Sequence, residues 1–131
     1  MAGGEENDYD LPMGVSWDDE DNLVKMTVVI PDAKEKKVLI GSSTRFANGE
    51  PDIKFDSLSV RLAVSLEVKE KSKKITKNIG ALWKLPEEIQ ADKSHFKCKK
   101  AKVEIFLMKA EEKTWAGAIS QGVDMERLTT S

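Results

Sequence analysis

Between Leu58 and Val68 the chain is apolar at every second position: Leu58, Val60, Leu62, Val64, Leu66 and Val68. Ser57, Ser59, Arg61, Ser65 and Glu67 fall between them. On a helix these apolar positions would scatter around the circumference, whereas on a strand all of them share one face. An alternation this long commits the chain to a sheet with one buried side.

The same period recurs elsewhere. Val24, Met26, Val28 and Ile30 alternate with Lys25 and Thr27 until Pro31 and Asp32 stop the run, which predicts a strand. In KVEIFLMKAEEKTW, Val103, Ile105 and Leu107 form the inner row, with Lys102, Glu104, Phe106 and Met108 opposite. A charged turn from Lys109 to Lys113 follows, and then Trp115 as a single large anchor. Lys69 to Lys74 (KEKSKK) reads as a polar turn from which Ile75 to Ile79 returns as a partner strand, its lysines blunting an exposed edge. KKVLI, Lys36 to Ile40, reads as a short strand before the turn signal Asn48-Gly49. Phe96 opens a further strand through Cys98. Gly80 to Gln90, with Pro86 before Glu87 and Glu88, permits a short helical turn. After Trp115 the chain has few large apolar groups, and residues 122–131 read as a flexible tail. Trp17, Trp83 and Trp115 stand at element ends, where they would seal the core. Six or seven short strands without a long amphipathic helix predict an antiparallel sandwich.

The 131 residues, 40% hydrophobic and 34% charged, fit one domain with a solvated surface. Residues 1–22 carry eight acids and no base, while residues 69–102 carry eleven lysines against four acids. Residues 1–15, rich in glycine and acid, read as a disordered tail that could fold back on the lysines. No apolar run approaches the roughly 20 residues of a membrane helix, and the acidic start is unlike a signal peptide. The single cysteine excludes an internal disulfide and fits a reducing compartment. Together these features predict a soluble cytoplasmic or nuclear protein, a monomer, with no membrane partner.

No constellation for catalysis is present. One His and one Cys cannot supply the roughly four ligands of a structural zinc site, or the three of a catalytic one. His95 and Cys98, three apart on a strand, point to opposite faces and cannot act as a nucleophile pair. Gly41-Ser42-Ser43 has neither the spacing nor the lysine of a phosphate loop. The carboxylate pairs Glu87-Glu88 and Glu111-Glu112 lie in turns. The chain is therefore read as a non-enzyme with no cofactor and no metal. Its lysine cluster lacks the interleaved aromatics of a nucleic-acid binder; it reads first as a solvated hairpin tip, with a cationic face for an acidic protein partner between the two.

Phe96 to Trp115, an aromatic and a short spacer before K-V-E-I-x-L-x-K-A-E and a Trp, resembles the CS domain. That sandwich is shared by the small acidic (p-twenty-three-like) co-chaperone of heat-shock protein 90, the Sgt-one co-chaperones, nuclear distribution protein C and calcyclin-binding protein. Ser16-Trp17 leading into Val24 to Ile30, and FDSLSV from Phe55 to Val60, support the resemblance, which spans about Trp17 to Gln121. The KAE turn before Trp115 is most similar to the Sgt-one and calcyclin-binding types. The resemblance implies a seven-stranded antiparallel, immunoglobulin-like sandwich related to the alpha-crystallin domain, occupying residues 16–121. It implies a non-enzymatic co-chaperone or adaptor that binds heat-shock protein 90 through one sheet face. The contact residues carry over as Lys102, as Trp17 (or Asp18 one register away) and as Val29. Glu104 shares the outward row, and Phe106 and Met108 stand there where related strands carry charge. They would be covered by the long Ala33–Asp52 connection or be used for a partner or unfolded client. The alternatives are a stand-alone holdase working through those apolar groups, or a scaffold of dynein or ubiquitin-ligase assemblies by family analogy alone.

Overall fold

The alternating segments build two four-stranded antiparallel sheets that bury their apolar rows in one core. The structure, a computed structural model, describes residues 9–39, 41 and 43–128. One sheet has the order β1-β2-β7-β6, from β1 Gly14–Asp19, β2 Leu23–Val29, β6 His95–Lys99 and β7 Lys102–Met108. The other has the order β3-β4-β5-β8, from β3 Pro51–Asp56, β4 Ser59–Glu70, β5 Lys73–Lys84 and β8 Asp124–Arg127. A six-residue helix, α1 Ala116–Gln121, lies between β7 and β8.

Register explains the core. Val24, Met26 and Val28 pair with Leu107, Ile105 and Val103, and all six are fully buried. Across the core, Val60, Leu62 and Val64 pair with Trp83, Ala81 and Ile79. Both rows follow from period-two patterning on strands with one wet face. The β4–β5 hairpin closes on Lys71 and Ser72, both with positive φ, the backbone that a two-residue turn between twisted strands demands.

Several expectations are corrected. The sandwich has eight strands, because residues 124–127, expected in a flexible tail, pair with Lys84 to Ala81 of β5. The four residues of β8 are all exposed, so no hydrophobic alternation announces them. Gly80 to Lys84 is strand, not helical turn: β5 runs on because Ile79, Ala81 and Trp83 keep the inward period. Leu58 lies in the β3–β4 turn and is half exposed. Lys36 to Leu39 of the expected KKVLI strand are exposed and unpaired, and Ile40 is outside the described residues. The edge strand is instead β3, Pro51–Asp56. His95 opens β6.

Residues 1–8 of the expected acidic tail lie outside the described residues. From Tyr9 the chain joins the sandwich: the amide of Tyr9 donates to Leu128 O and that of Asp10 to Asn78 O, while Gly80 N donates to Asp10 O. The long 33–50 connection is held at its base. Phe46 is buried in the core. The Asn48 amide donates to Asp32 O at 2.9 Å and to Glu67 O at 3.1 Å, and its oxygen accepts from Lys34 N at 3.0 Å. One side chain thus ties the end of β2 to β4.

Cys98 faces the core of β6 and is 3% exposed; burial pushes its thiol up to about 12. The folded protein is therefore expected to resist an aromatic disulfide reagent at about pH 8 and to react fully once denatured. Labelling of the native chain at the rate of a free thiol would show that the β6 face is not closed.

Candidate docking face and lysine lock

The outer face of the β1-β2-β7-β6 sheet gathers the charged side chains. Ladder pairing sets its rows: Val29, Lys102 and Lys99; then Thr27, Glu104 and Lys97; then Lys25, Phe106 and His95. Lys102 keeps 42% of its side chain exposed and stands 3.9 Å from Glu104 Oε2. Glu104 is the hub of the face, only 13% exposed, and it also meets Lys25 Nζ at 3.3 Å. Lys97, Lys99 and Lys100 have no ion-pair partner among the described residues. One anion is thus surrounded by cations with charge to spare, an arrangement that attracts an acidic surface and orients it.

Phe106 and Met108 do lie on this face, and both are half-buried. The covering comes from β6: the His95 ring stacks on Phe106 with centroids 4.9 Å apart, and Lys97 Nζ stands 5.4 Å above the same ring. The 33–50 connection goes elsewhere, pairing Ser43 with Cys98 at the β6 edge.

Trp17 takes the core-sealing place expected of the three tryptophans and not the outward place that the resemblance implies. It pairs with fully buried Met26 and packs against the core. The register that turns Val24 and Met26 inward turns Asp19 and Trp17 inward with them, since paired residues share a face. The outward position beside it is Asp18, opposite Lys25. Val29 stays on the outer face, 37% exposed. Lys25, Lys97, Lys99 and His95 share this face with Lys102; the three lysines were not singled out from the sequence and His95 was weighed only as a metal or nucleophile candidate, because only the pairing of β2 and β6 with β7 brings them together.

At the far end of the same sheet sits a second cluster, which is structural. Lys109, 5% exposed, donates to Glu20 O at 2.6 Å and to Lys113 O at 2.7 Å, and its ammonium pairs with Asp19 Oδ1 at 2.7 Å. The other Asp19 oxygen accepts from Thr114 Oγ1 and from the Trp115 amide, each at 2.9 Å. The Lys109 ammonium, the largest influence, holds the Asp19 carboxyl below the usual range. The Trp115 amide and Thr114 hydroxyl add to this, and burial opposes it. The KAE turn is therefore a lock that fastens β7 and Trp115 to β1.

Among the described residues no group of three or more His, Cys, Asp or Glu could hold a metal, and no helix is long and apolar enough to cross a membrane.

The sequence model of the CS domain family matches residues 14–109, which is β1 through the end of β7 and the buried lysine. Among solved structures the chain is similar to heat shock protein 16.0 from Schizosaccharomyces pombe, with a TM-score of 0.52 at 16% identity. That likeness covers 77% of this chain and 91% of the other, and at this identity it concerns the fold. A search of the curated proteins finds no match.

Proposed function

The chain belongs to the CS domain family, and from that premise we propose that it is a non-enzymatic co-chaperone or adaptor. It docks the outer face of the β1-β2-β7-β6 sheet on an acidic surface of heat-shock protein 90. The observation that carries the reading is the row Val29, Lys102 and Lys99 beside Lys97, with one anion, Glu104, among the cations. An exposed rim of this kind speeds and orients encounter, and its effect falls with salt. The protein acts as a monomer in a reducing cytoplasmic or nuclear compartment, which the free thiol of Cys98 supports. A stand-alone holdase would depend on open apolar surface at Phe106 and Met108. The cover that His95 and Lys97 give Phe106 favours the adaptor.

The test is a titration of isotope-labelled protein with the separate domains of the chaperone, followed by amide shifts. Shifts are expected along β7 and β6. Lys102→Glu is expected to weaken binding roughly ten-fold at low salt and less at high salt. Shifts confined to other surfaces, or a Lys102→Glu variant that binds like wild type, would remove the proposal.

A further inference from the structure

The two ends of the sandwich differ in the residues their turns present. The β1–β2 turn, the β3–β4 turn and the segment after β7 meet at one end, where Asn22 O accepts from Lys109 N, Ser57 O from Ile89 N and Glu88 O from Ala110 N. Asp18, Asp21, Glu87, Glu88, Glu111 and Glu112 cluster there. At the other end the β4–β5 hairpin, the β6–β7 turn and the long connection converge, through Glu67 N to Asn48 O and Ala101 N to Ala33 O. Lys36, Lys37 and Lys99 line one notch there beside Glu35, with Lys71, Lys73 and Lys100 in or next to the two turns and Asp32 and Glu70 engaged by Lys77.

The basic end also holds a strand sequence with no strand to join. Val38 is 43% exposed and Leu39 fully so. Among the described residues no backbone hydrogen bond joins positions 36–39 to the rest of the chain. Beside them is a notch of about 230 Å³ lined by Glu35, Lys36, Lys37, Val38, Ser43 and Lys99. Its floor is the β6 edge, where Cys98 N donates to Ser43 O at 2.7 Å. Open backbone groups, an exposed apolar pair and residues of strand propensity are what another chain needs to pair edge to edge.

We propose that residues 36–39 and the rim of this notch form a docking strand for an extended acidic segment of a partner protein. The segment's backbone pairs with positions 36–39, its carboxylates meet Lys36, Lys37 and Lys99, and one apolar side chain packs on Leu39. The charge of this end selects acid over base, and Leu39 selects a segment that is not acidic throughout. Lys99 also lies in the row with Lys102, so the notch continues the docking face around the β6 edge. The inference rests on the adaptor reading but uses a different surface.

The probe is a synthetic peptide of alternating Glu and Leu, titrated into the labelled full chain. Poly-glutamate and single-stranded oligothymidylate serve as comparison arms, with amide shifts and hydrogen exchange as readouts. The alternating peptide is expected to slow exchange at positions 36–39. Leu39→Ser should weaken its affinity roughly five-fold, the scale of one apolar contact, while the melting midpoint stays unchanged and Lys102→Glu binds the peptide nearly as wild type does. Equal competition by oligothymidylate, a Leu39→Ser variant that binds like wild type, or shifts at 36–39 that grow with protein concentration alone would overturn the proposal. Peptide shifts only around Lys102 would overturn it and leave the adaptor reading standing. Protection at 36–39 in a protein that fails the chaperone titration would uphold it and remove the adaptor reading.

Discussion

Trp115→Ala is expected to destabilise the protein by about 4 kcal/mol, the usual cost of deleting a fully buried indole. For a chain of this size that lowers the melting midpoint by roughly 15 °C. Trp115 is 1% exposed, its amide is held by Asp19, and α1 starts from its carbonyl, which accepts from Ile119 N. The loss would therefore be felt in the core, in the clasp to β1 and in the path to β8. The indole nitrogen has no hydrogen-bond partner among the described residues, and a buried unpaired donor is itself a cost. Trp115→Phe keeps most of the apolar volume and removes that donor, so it should cost about 1 kcal/mol or less. Thermal melts of the two variants decide the matter. Equal losses would show that the apolar volume a Phe retains is not what Trp115 contributes.

The second large effect is at the lock. Asp19→Ala removes the counter-charge of a lysine whose side chain is only 2% exposed, along with the acceptor for Thr114 and Trp115. Stripping one partner from a buried pair costs about 3 kcal/mol, or roughly 10 °C in melting midpoint. Lys109→Met should cost less, because it removes the ammonium as well as its need for a partner. The pH dependence follows from the direction of the shift. Asp19 titrates lower in the folded protein than its ordinary value near 3.8, so its contribution is complete above that value. It disappears as pH falls through the folded value. The stability gap between wild type and Asp19→Asn should hold across neutral pH and close below about pH 4. Chemical denaturation at a series of pH values measures it, and a gap that widens on acidification would contradict this account.

Much of this architecture is visible in the residues. Strands β2, β4 and β7 are legible because a two-residue period is kept over four, five and three successive inward positions. What period alone does not convey is which strand lies beside which. Trp17 has the look of a docking aromatic at the opening of a strand, and only its pairing with Met26 turns it inward. Lys97 and Lys99 lie close to Lys102 in sequence, but it is the tight β6–β7 turn through Ala101, at positive φ, that sets them on one face. Phe46 is a lone aromatic in a polar stretch, and its burial depends on contacts far away in sequence. For β8 there is nothing to read, since its exposed residues add to the β5 edge through backbone pairing and one surface ion pair, Lys84 with Glu126. Lys36 to Leu39 show the reverse case, in which strand propensity is present and no strand partner occurs among the described residues.

The base of the long connection carries a consequence for how such a domain can diversify. Glu35 bridges Phe46, and Phe46 bridges Gly49, so the chain enters and leaves through a clamp that Asn48 fastens from the side. Between the jaws, among the described residues, the chain meets the sandwich through one backbone pair, Ser43 with Cys98. Doubling the length of such a loop adds only about 0.6 kcal/mol of closure entropy. Lys36 to Leu39, which no backbone bond ties to the sheets among the described residues, can therefore be exchanged or retuned in charge while the frame stays fixed, so new partners can be acquired without a new fold.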